Sequence, residues 1–117
     1  MKPKWFAMLL FFLAAAFVLK SEPEISRPNP DIRFRDQRLL YRGREFSGRV
    51  RLRLDGVGVT RETHYRNGYV DGTEKETYDG GQLAAERKFE HGRKTGVHRE
   101  WYHDGRRRAR SEYLDGQ

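Results

Sequence analysis

Four histidines, two carboxylates and a run of arginines are the side chains in this sequence that could do chemistry. His64, His91, His98 and His103 are the metal-ligand candidates. However, His98 and His103 stand five apart in a stretch of strand character and so point to opposite faces, and His91 falls in a connection. They form no compact cluster with ligand spacing and read as solvated surface histidines. Glu76 and Glu100 occupy equivalent positions of a repeat and share a face, where two carboxylates could approach one another. Paired acid–base work also needs a pocket, which a bare sheet does not offer. There is no phosphate loop, nucleophile motif or dinucleotide fingerprint, and the absence of cysteine removes thiolate and Cys-ligated zinc chemistry. The reading is therefore a protein that is not an enzyme and uses no cofactor or metal. The basic run Arg106, Arg107, Arg108 with Arg110 has two readings. It can protect an exposed edge strand from unwanted pairing, or it can contact anionic lipid head groups.

The elements that must position these residues begin after an address. Met1 to Lys4 is a short basic start, and Trp5 to Leu19 is an uncharged, mostly apolar run. That length suits a signal-peptide core and falls short of a bilayer span. Residues 1–20 are thus expected to be a signal peptide or an uncleaved N-terminal membrane anchor in the form of a hydrophobic helix, with the rest exported to the periplasm or envelope. Nucleic acid is not expected as a partner, because export would separate the domain from it. Without residues 1–20 the chain carries 21 cations against 17 anions, or +4. Residues 21–37 hold Pro23, Pro28 and Pro30 with few large apolar groups, and read as an extended, poorly ordered linker.

From residue 38 to residue 117 the sequence repeats. Gly48, Gly72 and Gly96 set three units in register at a period of 24 residues. The large residues Tyr41, Leu54, Tyr65, Tyr78, Phe89, Tyr102 and Tyr113 follow in alternating steps of 13 and 11. Residues 49–54 alternate polar and apolar with period two, as a half-buried strand does. Asp55-Gly56, Gly80-Gly81 and Asp104-Gly105 are hairpin-turn signals. Longer connections run at 42–48, 66–72 and 90–96, with glycine in the middle and at the end (Gly68, Gly72, Gly92 and Gly96 among them), and Gly116 closes the last unit. The fold class is all-β: one antiparallel meander of about seven strands built from repeated β-hairpins.

If Gly80-Gly81 and Asp104-Gly105 are the central turn residues, the cross-strand pairs follow. Gly48 falls opposite Tyr65, Gly72 opposite Phe89 and Gly96 opposite Tyr113, so that each ring covers bare glycine backbone. Tyr78 falls opposite Leu83, Tyr102 opposite Arg107, and Trp101 opposite Arg108 in a cation–π contact. On the other face Arg51 meets Glu62 and Lys75 meets Glu86, whereas Arg99 meets the like charge of Arg110. A single layer cannot bury its aromatic face, so the sheet is expected to curl over it or to have it covered by a partner.

The recurring Gly-x4-[aromatic or Leu]-Tyr-x2-Gly pattern, fullest from Gly96 through Trp101 and Tyr102 to Gly105, resembles MORN repeats. The likeness is to the bacterial variant found in proteins labelled antitoxins of the YwqK family. It departs from the pattern at Leu54, where an aromatic is expected, and at Val57, where glycine is. The resemblance implies a scaffold or binding surface for a protein partner, and in some cases for lipid, with no catalytic residues. An exported member would then act as a protein-binding module, antitoxin-like or immunity-like towards an envelope toxin, with anionic membrane binding through the basic C-terminal strand as the alternative.

Overall fold

The computed structural model describes residues 22–114. The apolar start at 1–20, with the helix expected there, and Gly116 lie outside the described residues. No helix among the described residues is long and apolar enough to cross a membrane.

The described residues form ten strands: β1 (Glu24–Arg27), β2 (Ile32–Arg35), β3 (Arg38–Tyr41), β4 (Arg44–Glu45), β5 (Gly48–Leu54), β6 (Val59–Arg66), β7 (Tyr69–Tyr78), β8 (Leu83–Glu90), β9 (Arg93–Trp101) and β10 (Arg107–Tyr113). The all-β class is as the sequence indicates, and β5 to β10 run as an antiparallel meander. The single sheet is not. β1 pairs parallel with β5, making a mixed seven-stranded sheet, and β2–β3–β4 form a second sheet of three strands. Two parallel neighbours need a crossover of a dozen residues or more, and residues 28–47 supply it. The stretch read as linker thus carries β1 and β2. Its apolar residues are few but placed to be used: Ile32 is buried and Ile25 packs beside it.

The small sheet lies over one end of the large one. Ile32, Leu39, Phe46 and Val50 form the buried cluster, with Ile25, Tyr41 and Tyr65 packed around it. Leu39 has no exposed surface at all. The expectation that a lone layer must be covered is met partly from within the chain, by strands that precede the first full repeat unit at Gly48.

The connections at 42–48, 66–72 and 90–96 are tighter than expected. Arg42-Gly43, Asn67-Gly68 and His91-Gly92 each place two successive residues at positive φ, the two-residue turn whose twist matches the flanking strands. Gly72 and Gly96 already lie within β7 and β9. The 24-residue period reappears in the bonds between units. Gly68 N donates to Phe46 O at 2.9 Å, and Gly92 N to Val70 O at 2.7 Å. Asn67 N likewise donates to Ser47 Oγ at 2.8 Å, and His91 N to Asp71 Oδ2 at 3.0 Å.

Gly68 is also where the two sheets are tied, since its carbonyl accepts from Leu39 N at 2.8 Å. With φ at +85° and the Cβ position 3.0 Å from Arg38 Cβ, Gly68→Ala is expected to cost about 1–2 kcal/mol from the left-handed backbone alone. Urea unfolding checks this.

At the other end of the β7–β8 and β9–β10 hairpins the turn differs from the expected one by one residue. Gly81 N donates to Tyr78 O at 2.8 Å and Tyr78 N to Gln82 O at 2.8 Å; Gly105 N and Tyr102 N repeat this at 3.0 and 2.8 Å. These are three-residue loops with Asp79-Gly80 and His103-Asp104 in the middle, closed by glycine in the left-handed region at Gly81 and Gly105. Leu83 therefore faces Thr77 rather than Tyr78, and Arg107 faces Trp101 rather than Tyr102. A bulge at Ala84, and its equivalent at Arg108, then restores the expected register. Gly48–Tyr65, Gly72–Phe89, Gly96–Tyr113, Arg51–Glu62, Lys75–Glu86 and Arg99–Arg110 all pair as the arithmetic requires.

Candidate functional site

Period-two alternation from β5 to β10 sorts the side chains onto two unlike faces. On one face, Val59, Ala84 and Ala85 are buried near the hairpin turns. Beside them Tyr78 stacks on His103 with ring centroids 3.8 Å apart and donates its hydroxyl to Trp101 O at 2.6 Å. At the far end of this face His98 sits between Phe89 and Tyr113, at 5.6 and 4.5 Å, and Lys94 lies over the Tyr113 ring. The small sheet covers this face at β5 and the adjoining end of β6, where Val50 and Tyr65 join its cluster. From β7 to β10 the face is open among the described residues.

Between the two apolar ends lies a charge network. Arg61 reaches Glu76 at 2.7 Å; Arg87 reaches Glu76 at 3.1 Å, Glu74 at 3.2 Å and Glu100 at 2.8 Å. Thr63 Oγ1 donates to Glu74 Oε1 at 3.0 Å. Burial acts to raise the Glu76 carboxyl, but the guanidiniums of Arg61 and Arg87 outweigh it and hold the group below its usual range. Burial likewise opposes the charge on Arg87, and Glu100, Glu76 and Glu74 more than offset it, holding the guanidinium above its ordinary value. Glu76 and Glu100 do share the face, as expected. The sequence reading missed the arginines between them. Arg61 is paired with Glu76 in the ladder, and the same parity puts Arg87 on their face, so the alternation that placed the two carboxylates would have found both.

His98 departs from the expected solvated histidines. It is only 7% exposed, and its Nε2 lies 2.9 Å from Lys88 O and 3.2 Å from Thr95 O. It fills the place where the β8–β9 ladder skips from Glu86–Arg99 to Lys88–Thr95. A ladder break exposes backbone polar groups, and a buried ring nitrogen satisfies them. Among the described residues no group of three or more His, Cys, Asp or Glu is placed to hold a metal ion.

The ring-over-glycine pairing holds in register. A Cβ at Gly48 would meet Pro23 and Phe46, one at Gly72 would meet His64, and one at Gly96 would meet Lys88; the facing rings are not the nearest groups. Glycine is needed at these positions because φ is +152°, +100° and +66°, where a side chain strains the backbone.

The opposite face is polar. One row of neighbours crosses it from strand to strand: Arg51–Glu62, Glu62–Lys75, Lys75–Glu86, Glu86–Arg99 and Arg99–Arg110. Charge alternates along the row until its last step. The four arginines near the C-terminus do not act as one patch. Arg106 is tied to Asp104 at 2.7 Å and lies over Tyr102. Arg108 joins Glu100 and His103 at a groove on the aromatic face, and Arg110 belongs to the polar face beside Arg99. Arg108 does not face Trp101; the bulge hands that position to Arg107.

Searches of protein-family models, of curated proteins and of solved structures found no match to this chain.

Proposed function

We propose that this chain is a non-catalytic module that binds another protein across the open half of its aromatic face, exported with residues 1–20 as its signal peptide or membrane anchor. The observation that carries the reading is the unequal covering of that face. One end is closed by the chain's own β2–β4 sheet. The other presents Tyr78, Phe89, Tyr113 and Arg108 around the Arg87 network, a mixture of aromatic and arginine groups that suits protein interfaces. Arg61 and Arg87 satisfy Glu74, Glu76 and Glu100 internally, so these groups serve orientation and specificity better than proton transfer. The MORN-like spacing supports the same reading and extends it to an immunity-like role towards an envelope toxin. Binding to anionic lipid draws less support, since Arg106 is engaged by Asp104 and Arg108 and Arg110 point to opposite faces.

The test is capture by the full chain, tagged at its C-terminus, from an envelope extract in mild detergent. The Phe89→Ala/Tyr113→Ala variant should lose the captured protein, while Arg107→Gln, on the edge, should keep it. Equal capture by all three, or none by the wild type, removes the proposal.

A further inference from the structure

The row of alternating charge on the polar face is broken at one place. Arg51, Glu62, Lys75, Glu86 and Arg99 follow one another with opposite signs across five strands, and then Arg99 meets Arg110 on β10. Like charges directly opposite are destabilising in a sheet. Among the described residues the carboxylate nearest Arg110 is Glu112 of its own strand, at the 4.0 Å limit of an ion pair. Among the described residues β10 is also an outer strand, paired with β9 alone. The opposite edge is unlike it: β1 has four residues and is bounded by Pro23 and Pro28, a device that blunts pairing.

We propose that β10 pairs antiparallel with β10 of a second copy of this chain about a two-fold axis at Ser111. This goes beyond the protein-binding reading above, which needs no second copy. In that register Arg110 of each copy lies opposite Glu112 of the other, so the guanidinium that faces the like charge of Arg99 on one side gains an opposite charge on its open side. Ala109 lies opposite Tyr113, a small residue against a large one, on the aromatic face. Both Arg110–Glu112 pairs form at once, because a two-fold contact is self-complementary. Neighbouring registers lack this match: centring on Arg110 sets two guanidiniums face to face, and centring on Glu112 sets two carboxylates so. The product is one continuous sheet in which the open aromatic faces of the two copies adjoin.

The chain has no cysteine, which makes a single introduced one a clean reporter. Residues opposite one another in an antiparallel pair have Cα atoms about 4.5–5.5 Å apart, within disulfide reach. On mild oxidation of the full chain, Ser111→Cys should therefore give mostly covalent dimer, and Arg107→Cys little. In sedimentation the wild type should dimerise with rising concentration. Arg110→Glu should weaken dimerisation about tenfold or more, and adding Glu112→Arg should restore it. Arg110→Glu gives Arg99 an opposite charge within its own chain, so misfolding does not account for its effect. A wild type that stays monomeric overturns the proposal and leaves β10 as a charge-protected edge. Cross-linking no greater at Ser111 than at Arg107, or a dimer indifferent to Arg110→Glu, overturns it equally.

Discussion

Leu39→Ala is expected to cost about 2–5 kcal/mol, the range for emptying a fully buried leucine site, and so to remove much of what a domain of this size has in reserve. Leu39 is wholly buried and stands at the centre of the small cluster with Ile32, Phe46 and Val50. Its amide is also the donor that ties the small sheet to the Gly68 turn. The site cannot collapse easily, because Phe46 and Val50 belong to backbones fixed by the two sheets. Denaturant unfolding followed by circular dichroism measures the loss. Leu54→Ala, at the half-exposed opposite end of β5, is the control and should cost much less. Equal losses at the two sites would mean that the small sheet contributes little to holding the fold.

The second large effect is at Arg87. Three carboxylates converge on its guanidinium, at 2.8–3.2 Å. Arg87→Met keeps most of the stem's packing and leaves Glu74, Glu76 and Glu100 facing one another, with Arg61 as the remaining cation. Breaking a buried pair in this one-sided way costs about 3–5 kcal/mol; the partial exposure of Arg87 lowers the expectation to about 2 kcal/mol. The pH dependence separates this from a packing defect. In the wild type Glu76 is held below its ordinary 4.5, so its contribution is present above that pH and is lost as pH falls through the lowered value. In Arg87→Met the crowded carboxylates are pushed upward instead, so acidification towards pH 5 relieves repulsion and should recover part of the lost stability. Thermal unfolding at pH 7 and pH 5 checks the sign. A variant that gains nothing between pH 7 and pH 5, like the wild type, whose Glu76 stays ionised across that range, would show that the network is not held by Arg87.

Much of the large sheet was legible because its determinants are local and repeated. Gly72, Phe89, Gly96 and Tyr113 announce their register through spacing alone. The one-residue offset at Thr77–Leu83 and Trp101–Arg107 was not legible, since Gly80-Gly81 fits either a two-residue turn or a three-residue loop. Only the hydrogen bonds at Tyr78 and Gly81 decide between them. The small sheet escaped for a different reason. Ile25, Ile32 and Leu39 carry no period, and three prolines dominate the composition around them, so their burial depends on contacts with residues far along the chain. The charge network lay between. Parity alone puts Arg61, Glu76, Arg87 and Glu100 on one face, but a search for catalytic pairs looks for carboxylates and passes over the arginines that neutralise them. His98 was misjudged because spacing says nothing of the ladder break that its ring fills.

The parallel seam between β1 and β5 sets the order in which the molecule can assemble. Every contact in the meander joins strands separated by a short turn, and hairpins of that kind form within microseconds. Glu24 must instead find Arg49 across the whole of residues 28–47, and closing that longer loop costs entropy before any contact repays it. The first strand of the chain is therefore expected to be the last to dock, and a stopped-flow probe on Ile25 should report a later phase than one on Tyr102.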